Sequence, residues 1–248
     1  MICFFASHLQ NRPRRNRSGL FQSQFWSLAV AALLLAATAG AQAQFSNPAA
    51  GTQVKDTSAL HPPAGARVAI VEFADMQCPD CARAYPVVKE AVAKYKIPWL
   101  YHDFPLPYHT WSPSASVNAR WFELKRKGLG DEYRGQVFAN QATFYYNVDL
   151  FNKFTDKFAK EHGIAMPFAV DPQGKLAAEV KADRALGERI GIDHTPTIWV
   201  VTANSKGAPF IEVTDRSKLY QIIDQALADT ASSAAKPTFK HITKTGAK

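Results

Sequence analysis

The stretch Arg67-Val-Ala-Ile-Val-Glu-Phe-Ala-Asp-Met-Gln-Cys-Pro-Asp-Cys81 decides the fold of this chain. Its residues 68–73 are mostly β-branched or apolar, which predicts a strand buried on both faces. From Cys81 to Tyr95, apolar side chains recur at helical spacing. The pattern therefore predicts a strand, a short turn that carries two cysteines, and a helix.

Pro79 places Cys78 at the start of this helix, because proline suits the first helical turn, where its missing N–H costs nothing. Unpaired backbone N–H groups and the helix dipole favour an anion there. Such sites lower the pKa of a cysteine to roughly 3.5–7.5 and so create a reactive thiolate. We predict that Cys78 is the nucleophile, and that Cys81, one turn on and less exposed, resolves the mixed disulfide.

The beginning of the chain has the pattern of an export signal. Residues 1–43 contain a basic region, an apolar run and the small-x-small sequence Ala41-Gln42-Ala43. We expect cleavage after Ala43 and delivery to the periplasm or another exported location, where disulfides form and persist. An uncleaved membrane anchor remains the alternative, although the apolar run is shorter than the ~20 residues that a span requires.

The composition limits the classes of partner and site. The net charge of +8 is carried by the two ends of the chain, in eight basic residues: Arg12, Arg14, Arg15, Arg17, Lys236, Lys240, Lys244 and Lys248. The middle of the chain is nearly neutral, so we expect no nucleic-acid partner. Apart from Cys3 in the leader, Cys78 and Cys81 are the only cysteines. They are too few for the four ligands that a structural zinc usually needs, so we expect no metal and no cofactor beyond the redox-active pair.

Four regions follow from the pattern of the chain. Residues 44–64 are rich in proline, glycine and alanine and are predicted to be a linker, and 231–248 to be a disordered basic tail. The folded domain covers 65–230, with a helical insertion at about 113–190. Within it we predict further strands at 99–104, 197–202 and 210–213, a turn at 204–207, and helices that start at Ser112-Pro113 or span 131–139, 147–162, 171–190 and 215–227.

Two features go beyond an isolated C-x-x-C. Gly191-Ile-Asp-His-Thr-Pro-Thr-Ile198 places Thr-Pro at the start of a late strand, and Glu72 lies six residues before Cys78. With the helical block between the sheet halves, residues 65–228 resemble the DsbA-type thiol-disulfide oxidoreductases, a branch of the thioredoxin-like superfamily. The resemblance implies an α/β, thioredoxin-like fold with a helical insertion between the two halves of the sheet domain.

The resemblance also implies roles for single residues. Cys78 matches the nucleophilic cysteine, and Cys81 matches the buried resolving cysteine. Pro196 matches the cis-proline that faces the dithiol, which would leave the Thr195 backbone open to pair with an extended client. Glu72 matches the buried carboxylate that accepts and returns the Cys81 proton, with a plain surface role as the alternative.

The residues around this site carry further expectations. Pro79 and His194 are predicted to contact the client, and a purely solvent-exposed His194 is left open. Asp80 stands where the strongly oxidising relatives carry histidine. Because a carboxylate repels a thiolate and competes for the same helix N-terminus, we expect a less oxidising disulfide in this chain.

The sequence therefore predicts an exported, monomeric oxidoreductase. It would form or exchange disulfides in cysteine-containing client proteins, and a membrane or soluble redox partner would reset its dithiol. A reductase or isomerase of the same fold is the first alternative, because Asp80 disfavours a strong oxidant. A thioredoxin-fold copper chaperone is the second, although the two-residue cysteine spacing and the Thr-Pro argue against it.

Overall fold

The structure is a computed structural model that describes residues 51–203 and 209–234, with side chains up to residue 231. The expected leader, the turn predicted at 204–207 and the chain beyond 234 lie outside the described residues. In chain order the elements are β1 (Val68–Ala74), α1 (Pro79–Tyr95), β2 (Trp99–Asp103), α2 (Ser112–Lys125), α3 (Leu129–Phe144), α4 (Val148–Glu161), α5 (Lys175–Ile190), β3 (Thr197–Thr202), β4 (Phe210–Glu212), a 3₁₀ turn (Arg216–Lys218) and α6 (Leu219–Ala234).

The four strands form one sheet in the order β2-β1-β3-β4. Strand β1 pairs in parallel with β2 and antiparallel with β3, and β3 pairs antiparallel with β4. All seven residues of β1 are buried, which agrees with the continuous apolar run in its sequence. The predicted α/β fold with a helical insertion is confirmed.

Helices cover both faces of the sheet. On one face Val68 and Ile70 pack with residues of α1 and α6, and on the other Val71 and Phe73 pack with Ile190 at the end of α5. Because successive side chains of a strand point to opposite faces, Glu72 points toward the α1 side. The dithiol at the start of α1 lies on that same side.

The helical insertion has its own aromatic core. Phe151 and Phe158 of α4 are buried there. Helix α3 is longer than the predicted 131–139. The core also contains Cys78 and Cys81. The insertion therefore packs directly against the turn that carries the dithiol.

The structure differs from the predicted linker over residues 51–64. Leu60 is only 2% exposed and joins the core cluster that contains Ile190. The Lys55 N–H donates to the Ile190 carbonyl at 2.7 Å, and Thr52 bonds the Glu212 carboxylate through its N–H and its hydroxyl. Leucine burial and long-range hydrogen bonds override the loop-like composition, so this segment packs on the domain.

The last helix also extends past its predicted end. Helix α6 continues to Ala234. The sequence pattern predicts the end of this helix at 227 and the end of the domain at 230. Alanine and serine carry no strong stop signal, and the Thr230 hydroxyl bonds back to the Ala226 carbonyl within the helix. Across the described residues, none of the helices is both long and apolar enough to span a bilayer.

Leu60→Ala tests whether the N-terminal segment is part of the fold. Removing a fully buried leucine should lower the free energy of unfolding by about 2–5 kcal/mol. The measurement is urea unfolding of wild type and variant, with Lys55→Ala as the exposed control from the same segment. Equal stability of Leu60→Ala and wild type would show that the segment is a loose linker.

Candidate active site

Cys78 occupies the N-cap position of α1, and Pro79 is the first residue of the helix. Cys78 is 7% exposed and Cys81 is 0% exposed, and both are free thiols. Cys78 therefore keeps slight access to solvent, while Cys81 lies entirely in the core. Pro79 itself is exposed beside them.

The surroundings of Cys78 favour its thiolate. Its pKa is lowered to about 6, chiefly by a hydrogen bond from the Cys81 thiol, and burial opposes this shift. Backbone N–H groups of Cys81 and Asp80, at the head of α1, lower the pKa further. These are the unpaired donors that every helix N-terminus presents. The pKa of Cys81 is raised instead, because burial and the neighbouring Cys78 both disfavour a second anion.

The loop before β3 lies directly against Cys78. The Thr195–Pro196 peptide bond is cis, and the Cys78 thiol donates to the Thr195 carbonyl at 3.2 Å. That contact favours the thiol, whereas the Thr195 side chain lowers the pKa of Cys78. The Thr195 hydroxyl is buried and makes no other hydrogen bond among the described residues, which leaves it for the Cys78 sulfur.

Glu72 is a buried acid on the strand behind the dithiol. It is 1% exposed, and its carboxylate accepts a hydrogen bond from Trp99 Nε1 at 2.9 Å. Burial raises the pKa of Glu72 to about 8, while Trp99 and the charge of Arg216 oppose the rise. The charge of Glu72 also helps to raise the pKa of Cys81. A surface role for Glu72 does not fit this position.

The turn between β1 and α1 is held in place by hydrogen bonds that involve residues the sequence analysis did not select. The buried Asp75 carboxylate contacts His109 Nδ1 at 2.6 Å and accepts from the Leu106 N–H at 2.6 Å. The Asp75 N–H points at the Cys81 sulfur at 3.4 Å. The pairing of His109 with Asp75 spans 34 residues, so no local sequence pattern marks it.

A second set of hydrogen bonds to this turn comes from the insertion. The Gln141 side chain on α3 donates to the carbonyls of Met76 and Cys78 at 2.8 and 3.1 Å. Gln77 adds a bond between the same turn and the Tyr145 carbonyl at 3.1 Å. The backbone around the nucleophile is thus held from outside the sheet domain.

Asp80 is not the isolated carboxylate that the sequence argument assumed. Its Oδ1 atom accepts from Arg216 at 2.7 Å and from Arg83 at 3.0 Å. The Arg216 hydrogen bond is the main cause that lowers the pKa of Asp80. Arg216 lies 136 residues away in sequence, so no local pattern could reveal this pairing.

His194 lies at the edge of the site. Its side chain is 40% exposed and contacts the neighbouring Asp193 at 2.7 Å, with Glu212 at 4.0 Å. It lines a small cavity of about 90 Å³ together with Asp80, Pro196 and Arg216. The structure therefore places His194 beside Pro196 and Asp80, at the rim of the site, and its polar contacts within the described residues are to Asp193 and Glu212. Within the described residues, no group of three potential metal ligands is found.

A thioredoxin family model matches residues 63–224 of the chain. The chain belongs to the thioredoxin family. A comparison with curated proteins finds no match.

Solved structures of DsbA-type proteins share this thioredoxin-family fold. BdbD from Bacillus subtilis, in its oxidised form, is 16% identical, with a TM-score of 0.54 over 73% of this chain and 98% of that one. Alpha-DsbA1 from Wolbachia pipientis is 15% identical, with a TM-score of 0.56 over 70% and 92%. The thiol-disulfide exchange protein alpha-DsbA2 from the same organism is 17% identical, with a TM-score of 0.53 over 66% and 84%. The likeness at these identities is one of fold.

Cys81→Ala tests the hydrogen bond between the two sulfurs. Loss of the donor should raise the pKa of Cys78 from about 6 toward the ordinary cysteine value of 9.0. Cys81→Ser keeps a donor at the same place and should raise it less. The measurement is the alkylation rate of Cys78 as a function of pH, and an unchanged midpoint in Cys81→Ala would contradict the assignment.

Glu72→Gln tests the burial of the carboxyl group through the pH dependence of stability. The folded pKa is raised above the unfolded value, so the stabilising contribution is complete below about pH 4.5 and is lost as pH rises to about 8. Over this window the wild type should lose about 1.4 kcal/mol per pH unit relative to Glu72→Gln. Urea unfolding of both reduced proteins at several pH values measures the difference. A difference that does not change with pH would place the carboxylate in solvent.

Proposed function

We propose that this protein is an exported thiol-disulfide oxidoreductase that forms or exchanges disulfides in client proteins through Cys78 and Cys81. The observation that carries the proposal is the pairing of a low-pKa Cys78 with a fully buried Cys81 across from the Thr195–Pro196 loop. A thiolate that is stable at the surface is a good leaving group and a ready nucleophile.

In the oxidising direction, a client thiolate attacks the Cys78 sulfur of the Cys78–Cys81 disulfide. The bond between the two protein sulfurs breaks, and the electron pair leaves on Cys81, whose raised pKa makes it take up a proton. Glu72 is the acid behind it, and with a pKa of about 8 it is protonated at neutral pH and able to supply that proton.

A second client thiolate then attacks the client sulfur of the mixed disulfide, and Cys78 leaves as a thiolate. The client has then lost two electrons and gained a disulfide. The protein has taken up these two electrons and is now the reduced dithiol. The same steps run backwards when the protein reduces a client. An external redox partner is required to return the dithiol to its starting state.

The client is held beside the nucleophile by the Thr195 backbone in this proposal. An extended segment would pair there as an added strand, with Pro79 and His194 at its flanks. The flanking cavity that contains Asp80 and Arg216 would lie next to the client residues around the reacting cysteine. We propose a monomer that acts outside the cytoplasm after removal of residues 1–43.

The pKa of Cys78 bears on the direction of electron flow. A value of about 6 lies between the thiol of thioredoxin, at about 7, and that of DsbA, at about 3.5. The stability of the thiolate stabilises the reduced form, so an intermediate pKa indicates a disulfide that is less oxidising than the strongest members. This keeps the isomerase or reductase reading as the second candidate.

Exchange with a reduced, unfolded ribonuclease tests the proposed function. The oxidised wild type should restore ribonuclease activity, and Cys78→Ala should abolish the effect because it removes the sulfur that the client attacks. When Cys81→Ala is mixed with oxidised ribonuclease, a mixed disulfide through Cys78 should accumulate, because no resolving thiol remains. Arg126→Ala, on the insertion surface, serves as the control with normal exchange.

Equilibration of the wild type in a glutathione buffer then decides the direction. A reduction potential above that of the buffer supports an oxidase, and one far below supports a reductase. Absence of both ribonuclease oxidation and trapped mixed disulfide would overturn the proposed function.

A further inference from the structure

Arg216 reaches the active-site turn from the opposite end of the chain. It begins the 3₁₀ turn between β4 and α6, and its guanidinium donates to Asp80 Oδ1 at 2.7 Å. The same oxygen accepts from Arg83 at 3.0 Å, but the Arg83 side chain is 65% exposed, against 33% for Arg216. The less solvated of the two contacts is therefore the one that joins the two ends of the fold.

Asp80 occupies a sensitive position. It is the second residue of α1, between the two cysteines, where its carboxylate is drawn to the same N–H groups and dipole that stabilise the Cys78 thiolate. The hydrogen bonds that the described residues give to this carboxylate come from guanidinium groups, and none comes from the helix backbone. The free N–H groups at the N-terminus of α1 therefore remain available to the Cys78 sulfur.

We propose that Arg216 is a positioning residue for the dithiol, because it draws the Asp80 carboxylate away from the head of α1 and cancels its charge beside Cys78. The inference rests on the proposed function and deepens it. It explains how this chain keeps a reactive nucleophile despite an acid within the C-x-x-C.

The other charged groups around the site do not replace Arg216. Arg83 on α1 is largely in solvent, where an ion pair contributes little. On the far side of the cavity, the imidazole of His194 faces Asp193 and Glu212. Behind the dithiol, Glu72 and Asp75 are acids. The charge of Arg216 opposes the rise that burial causes in the pKa of Glu72, and the pKa of Arg216 itself is raised first by Asp80 and then by the two cysteines.

The consequence for exchange has a definite sign. Without Arg216 the Asp80 carboxylate is released toward the thiolate, so the reduced form is destabilised and the disulfide becomes less oxidising. In Arg216→Met we expect the pKa of Cys78 to rise by about one pH unit. Where Cys78 is ionised in both proteins, the equilibrium constant for reduction by glutathione should fall about tenfold.

A double-mutant cycle separates positioning from a direct charge effect. The proteins are the full-length wild type, Arg216→Met, Asp80→Asn and the double variant, and the readout is the pH dependence of Cys78 alkylation. Arg216→Met should raise the pKa clearly in the presence of Asp80 and much less in the Asp80→Asn background. Arg216→Lys keeps the charge and should retain most of the wild-type value. Arg83→Met removes the solvent-exposed partner and should change it little.

Two results would overturn the proposal. The first is an unchanged Cys78 pKa in folded Arg216→Met, and the second is the same increase with and without the Asp80 carboxylate, which would mean that Arg216 acts on the sulfur directly. Circular dichroism and thermal unfolding identify any variant that has lost its fold, and Arg216→Gln, which also removes the charge, then takes the place of Arg216→Met in the cycle. Alkylation requires no client, so a failure of disulfide exchange in the wild type would refute the proposed function and leave this measurement intact.

Discussion

The contrast in acidity between Cys78 and Cys81 is the constraint on which the site depends. Cys81 is fully buried and holds its proton, and this S–H group is the largest single contribution to the low pKa of Cys78. The two cysteines therefore have opposite acidities although they are only one helical turn apart. The surrounding structure serves this asymmetry: α1 offers its free N–H groups to one sulfur, and the sheet and the insertion exclude water from the other.

The charges around the dithiol form two layers. Behind it, Glu72 is neutral at neutral pH because burial has raised its pKa to about 8, so it adds no anion next to Cys81. In front of it, Asp80 is an anion but is matched by Arg216. The arrangement keeps uncompensated negative charge away from the thiolate from both directions. It also means that a substitution in either layer affects the other, since the Arg216 charge is felt at Glu72.

Local sequence patterns predicted the parts of this architecture that are built from neighbouring residues. The strand with its two cysteines and the proline at the first helical position follow from short-range rules, whereas the cis Thr195–Pro196 bond near the dithiol was implied by the resemblance. The position of Glu72 also followed, through the resemblance. The pairings of Asp75 with His109 and of Asp80 with Arg216 did not, because they join residues 34 and 136 positions apart. Segment 51–64 was misjudged for the same reason: its composition is that of a loop, and only the tertiary contacts of Leu60 show that it is packed.

The hydrogen bonds of Gln141 have a consequence for how far this protein can be shortened. Its amide donates to the carbonyls of Met76 and Cys78. The Cys78 carbonyl also accepts from the Ala82 N–H of α1, whereas Gln141 is the only donor to the Met76 carbonyl among the described residues. A shortened protein from which the insertion had been excised would leave the Met76 carbonyl without this donor, and the cysteine turn would also lose the aromatic core that packs against it. The four-helix segment therefore supports the cysteine turn and is not a detachable module. Transferring it to a different thioredoxin would require its glutamine to lie within hydrogen-bond distance of the corresponding turn carbonyls.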